Sequence, residues 1–125
     1  MGTGDAKVGV AVDTAVLDEL RNVGGGDLGF VQELVDIFLE DVPAGLAKAR
    51  AALGASNHGD LARIAHAMLS TTNNLGAVKM SSLLRQVETD ARQNELAGLP
   101  AKVEALEAAF TVAREGLLAY IAAHK

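Results

Sequence analysis

Apolar residues recur every three or four positions in four long segments of this chain, and glycine or proline punctuates each gap. That spacing is one face of an α-helix, and few other architectures accommodate it four times over. Asp13 and Thr14 are good helix-capping residues, and Leu17 and Leu20 follow at helical spacing. A short first helix is therefore expected up to about Asn22, stopped by Gly24, Gly25 and Gly26. Asp27 reopens helix, with Phe30, Leu34, Ile37, Phe38, Leu46, Ala49 and Leu53 on one apolar face. Pro43 lies within that run. A kink rather than a break is expected there, because the apolar face continues beyond it. Gly54 ends the segment.

A third helix is expected from about Gly59 to Leu75, with Leu61, Ile64, Ala65, Met68, Thr72 and Leu75 facing inward. A fourth starts near Val78 and turns Met80, Leu83, Leu84, Val87 and Ala91 to the core. Pro100 suits the first turn of a last helix carrying Val103, Leu106, Phe110, Ala113, Leu117, Tyr120 and Ile121. Gly116 inside that helix is costly unless something packs closely against it. Short connections make successive helices antiparallel. The expected fold is all-α: an antiparallel four-helix bundle with a short additional N-terminal helix. The bundle should span residues 13–125, with residues 1–12 a flexible Gly-rich tail.

Composition narrows the functions open to such a bundle. Lys and Arg number 11 against 16 Asp and Glu, a net charge of −5 that disfavours general nucleic-acid binding. The absence of cysteine removes thiolate chemistry and disulfides, and fits a reducing compartment. No basic segment leads into a long apolar run, so no signal peptide or membrane insertion is expected and the cytoplasm is the default location. A ferritin-like metal site needs Glu three residues before His. Ala55, Arg63 and Ile121 stand at those positions before His58, His66 and His124, so neither a metal nor a bound cofactor is expected in the chain.

His66 is the residue that does not fit the core pattern. With each residue turning by about 100°, the inward positions of the third helix fall within about 60° of Leu61, and His66 falls about 140° away. Ala62 and Ser70, at i−4 and i+4, are small neighbours on its face, so a large partner could approach the imidazole closely. Spacing alone favours a solvated surface histidine of no consequence.

From His66 the chain reads HAMLSTTNNLGA. This resembles the signature of histidine phosphotransfer (HPt) domains, roughly H-x-L-K-G-S-S-x-x-L-G-A. His66 stands at the phosphorylated histidine, Met68 at the apolar position after it, and Thr71 and Thr72 at the small hydroxyl pair. Leu75, Gly76 and Ala77 match directly. The lead-in GDLARIAH, and upstream VDTAVLDEL and FVQELVDIFLEDVP, are also similar to the family, so the resemblance runs from about Asp13 to Ile121. Two positions depart from it: Leu69 replaces the usual Lys and Ser70 the usual Gly.

The resemblance implies a phosphorelay intermediate. His66 would accept a phosphoryl group from a phospho-aspartate of a receiver domain and pass it to another receiver aspartate. Such a carrier has no kinase activity of its own, and Mg²⁺ would sit on the receiver. Implied partners are response-regulator receiver domains and a hybrid sensor histidine kinase, engaged by a monomer. Arg63, or less directly Lys79, would replace the missing lysine charge, and Glu88 would hold the second ring nitrogen of His66. Ala62, Leu69, Ser70 and Asn73 would form the docking face. The alternative is a degenerate bundle that binds receivers as scaffold or competitor without being phosphorylated. A plain helical interaction module with no chemistry is a further alternative.

Overall fold

Five helices account for nearly all of the computed structural model, which describes residues 12–125. They are α1 (Thr14–Val23), α2 (Leu28–Gly54), α3 (His58–Asn74), α4 (Val78–Arg92) and α5 (Leu99–His124). The connections 55–57, 75–77 and 93–98 are too short to let a helix do anything but double back on its predecessor. Packing closes α2, α3, α4 and α5 into a ring, α2 against α3, α3 against α4, α4 against α5 and α5 against α2, with α1 laid on α2. This is the expected four-helix bundle with its extra N-terminal helix. No helix among the described residues is long and apolar enough to cross a membrane.

Capping chemistry sets the boundaries. The Asp13 carboxylate accepts from Ala15 N at 3.1 Å and that of Asp27 from Gly29 N at 2.9 Å, each satisfying a helix donor that would otherwise be orphaned. Asn57 does the same for Asp60 N at the start of α3. Gly98 precedes α5 and Pro100 occupies its first turn. α2 runs through Pro43 as one helix.

The interior is aliphatic. Phe38, Leu17, Leu61, Leu75, Met80, Leu84, Leu99, Leu106 and Leu117 are fully buried. Each such side chain contributes about 1.5–3 kcal/mol relative to exposure. Thr72, buried with them, satisfies its hydroxyl by donating to the Met68 carbonyl at 2.7 Å. Of the positions expected to face inward, Ile37 is exposed, and Phe30, Leu34, Leu53, Ile64, Leu83 and Phe110 are only partly buried. On α2 the buried stripe is Val31, Val35, Phe38, Val42, Leu46, Ala49 and Ala52, while Ile37 is 48% exposed. α2 carries two overlapping apolar stripes, and the one that includes Phe38 and the small residues Ala49 and Ala52 faces the bundle. Phe110 is only partly buried, its ring 5.4 Å from that of Phe38.

Val12, assigned to the tail from the sequence, belongs to the core at 6% exposure; residues 1–11 lie outside the described residues. Val12 also accounts for Gly116, because a Cβ there would sit 3.0 Å from Val12 Cγ2. The same N-terminal segment docks on the α3–α4 turn, where Asp13 N donates to Gly76 O at 2.8 Å. Gly76 has φ +71, and a Cβ would lie 2.9 Å from both Asp13 O and Val16 Cβ. Gly76→Ala should therefore cost roughly 1–2 kcal/mol through its left-handed backbone alone. The backbone collision adds to that, and urea unfolding is the measurement: a midpoint equal to wild type would contradict this account of the turn.

Candidate functional site

α3 and α4 form a helical hairpin around the turn 75–77, and residues at similar distances from that turn come roughly level with each other. His66 stands eight residues before the end of α3 and Glu88 ten after the start of α4. That is about 12 Å of α3 and about 15 Å of α4 at 1.5 Å per residue. Glu88 lies on the α3-facing flank of α4, and its carboxylate reaches across to His66: Nδ1 is 3.0 Å from Oε2 and 3.2 Å from Oε1. The imidazole is 68% exposed while the Glu88 side chain is 17% exposed. The carboxylate is thus held at the helix–helix seam and the ring projects outward from it.

A second residue grips Glu88. Arg92, one turn further along α4, donates to Glu88 Oε2 from Nε at 3.1 Å and from Nη2 at 2.9 Å. Burial works to raise the pKa of Glu88, but the hydrogen bonds from Arg92 and then from His66 outweigh it, and the carboxyl lies below its ordinary value of 4.5. An ionised carboxylate can only accept hydrogen bonds. His66 Nδ1 must therefore carry a hydrogen, and in the neutral ring the lone pair then belongs to Nε2, on the outward side.

The remaining sequence-derived candidates fall into three groups. Ser70 and Asn73 are exposed on the His66 face and Leu69 is half-buried beside it. The Asn73 side-chain oxygen accepts from Arg85 Nη2 at 3.1 Å. Arg63 is exposed and ion-paired with Asp60, one turn back along α3. Ala62 is not on the docking face, being 1% exposed and part of the core. Because α3 is wedged between α2 and α4, its buried arc is wider than the stripe centred on Leu61 and takes in Ala62, about 100° from Leu61. Lys79 is also misplaced for the role considered for it: it lies about 180° around α4 from Glu88, on the far flank.

Arg85 and Arg92 were not singled out from the sequence. The signal was present in their spacing, since they sit at i−3 and i+4 from Glu88 and so share its flank of α4. A groove of about 300 Å³ between α2 and α3, lined by Asp41, Lys48, Ile64, Ala67 and Met68 among others, opens on the other side of Ala67 from His66. Among the described residues, no three His, Cys, Asp or Glu side chains gather closely enough to hold a metal ion.

The Hpt domain family model matches residues 33–116, a span that includes α3, α4 and both partners of the His66–Glu88 pair. The chain is a member of the Hpt domain family. A solved structure of histidine-containing phosphotransfer protein B (HptB) from Pseudomonas aeruginosa PAO1 superposes with a TM-score of 0.82 at 28% identity. The match covers 92% of this chain and 97% of that one. No curated protein matches the chain by sequence. Hpt membership and the structural likeness give the chain a phosphotransfer role in two-component signalling.

The ring geometry makes a spectroscopic prediction. In nitrogen-15 spectra recorded above the titration range of the ring, His66 should be predominantly the Nδ1–H tautomer. Glu88→Ala should release it toward the mixture of tautomers of a free imidazole. A wild-type ring protonated mainly on Nε2 would contradict the arrangement.

Proposed function

We propose that this Hpt domain is a phosphorelay intermediate that takes a phosphoryl group from the phospho-aspartate of one receiver domain onto His66 and delivers it to the aspartate of another. The observation that carries the reading is the exposed imidazole of His66 held through Nδ1 by a partly buried carboxylate, which leaves Nε2 as the outward nucleophile.

In the accepting step the Nε2 lone pair attacks phosphorus in line with the acyl-phosphate P–O bond. The Nε2–P bond forms, the P–O bond breaks, and its electron pair stays with the departing aspartate carboxylate. Nδ1 keeps its hydrogen, and the positive charge that develops on the ring faces Glu88. The transition state is loose, so positioning and charge neutralisation supply most of the catalysis. The receiver is the proposed source of the Mg²⁺. The delivering step is the reverse reaction on a second aspartate.

Docking would use the face around His66, with half-buried Leu69 as its apolar part and Ser70 and Asn73 as small polar neighbours. Arg63 stands at the edge of this face, where its charge can meet the acidic pocket of a receiver. A hybrid sensor histidine kinase is the proposed origin of the phosphoryl group, in the cytoplasm. A monomer suits a carrier that presents one face to successive partners.

The test is transfer from a phosphorylated receiver domain, with His66→Gln as control. Because His66 is exposed, its replacement should leave the bundle folded. The reading predicts label on the wild type that survives base, is lost in acid, and is absent from the variant. Binding without label across several receivers would instead establish a scaffold, the outcome toward which Leu69 in place of lysine points. Neither binding nor label would remove the relay altogether.

A further inference from the structure

A carboxylate is an awkward support for a nucleophilic histidine. It fixes the useful hydrogen on Nδ1, but its negative charge also favours the doubly protonated ring, in which Nε2 has no lone pair to attack with. The structure contains an answer to that conflict. Arg92 places two donors on Glu88 Oε2, the same oxygen that lies 3.0 Å from His66 Nδ1. We propose that Arg92 is a positioning residue that holds and neutralises Glu88, so that the carboxylate orients His66 without drawing a second proton onto its ring. This rests on the phosphotransfer reading above and adds to it how this chain keeps its acceptor histidine nucleophilic.

Three observations support the assignment. Glu88 is 17% exposed, so its charge is incompletely screened by water and the ring feels it. Burial alone would raise its pKa, yet the carboxyl lies below its ordinary value through the combined pull of Arg92 and His66, and the hydrogen bond from Arg92 is the largest of the lowering contributions. Glu88 precedes Arg92 by four residues on one helix, which places the two side chains together without cost to the fold. The other charged groups around the ring do not substitute for Arg92. On α3, Arg63 is paired with Asp60. On α4, Arg85 donates to Asn73. On α2, Asp41 and Lys48 face the groove on the other side of Ala67.

Arg92 also sits in the last turn of α4, where any cation is favourable to the helix dipole. A purely structural role of that kind would alter thermal stability and leave the titration of His66 unmoved. The discriminating experiment is therefore a proton and nitrogen NMR titration of the His66 ring in wild type, Arg92→Ala, Glu88→Gln and the double variant, with His58 and His124 as internal references. Removing Arg92 leaves an unneutralised carboxylate facing the ring, so the midpoint should rise, by about half a unit or more for a pair this close. Glu88→Gln should lower it. With Gln at position 88, removing Arg92 should move the midpoint less than half as far as it does with Glu88 present. Arg92→Lys, which keeps the charge, should restore most of the wild-type value.

Acceptance of the phosphoryl group should slow about twofold in Arg92→Ala at the wild-type midpoint and about threefold well below it, and recover at higher pH, since a half-unit rise divides the neutral fraction by about two at the midpoint and by about three below it. An unmoved or lowered midpoint in Arg92→Ala would overturn the proposal. So would an equal rise with and without Glu88, because the arginine would then act on the ring directly. The titration needs no partner, so its outcome is separate from that of the phosphotransfer test: a chain that transfers no phosphate can still show the coupling, and one that transfers can lack it.

Discussion

The pairing of α3 with α4 around the Leu75-Gly76-Ala77 turn is the constraint on which the site depends. In an antiparallel helical hairpin, residues level with one another are those equidistant from the turn. His66 and Glu88 meet because they stand at similar distances from it, eight residues before the end of α3 and ten after the start of α4. Gly76 makes the turn possible at φ +71 and leaves room for the backbone of Asp13. The N-terminal segment clamps the turn from outside through Asp13 N and Gly76 O. The glycine in the family signature thus helps fix, from about 12–15 Å away, which residue of α4 faces the histidine.

Charge around His66 is arranged differently from what the family signature suggests. The signature places a lysine on the histidine's own helix, and this chain has Leu69 there. The cations nearest the seam come instead from α4, where Arg85 and Arg92 flank Glu88. A chain with net charge −5 therefore keeps two arginines on the Glu88 flank of α4. Leu69 in turn adds apolar area beside the ring, and a buried apolar anchor surrounded by polar groups is the usual composition of a protein–protein docking centre.

Much of this was legible in the sequence because helical periodicity is a strong local signal. The five helices, the exposure of His66 and the flank position of Glu88 all follow from residue spacing and the 3.6-residue repeat. The errors arose where the answer depends on how many neighbours a helix has. Ala62 is buried because α3 has partners on two sides, and no single-stripe reading of α3 contains that fact. Ile37 is exposed because α2 offers two apolar stripes and only the assembled bundle chooses between them. Val12 joins the core because Gly116, more than a hundred residues later, leaves a place for it. Arg92 was missed for a different reason: its partner is a carboxylate, so its effect on His66 passes through Glu88 and is invisible to a search for cations near the histidine.

The central claim is that the grip of Glu88 on Nδ1 leaves Nε2 of His66 as the nucleophile. The most direct test is to phosphorylate the purified chain with phosphoramidate and locate the group by phosphorus and nitrogen NMR. The account predicts a single phosphohistidine, on Nε2 of His66. Phosphate on Nδ1 of that ring, or on His58 or His124 in its place, would contradict it.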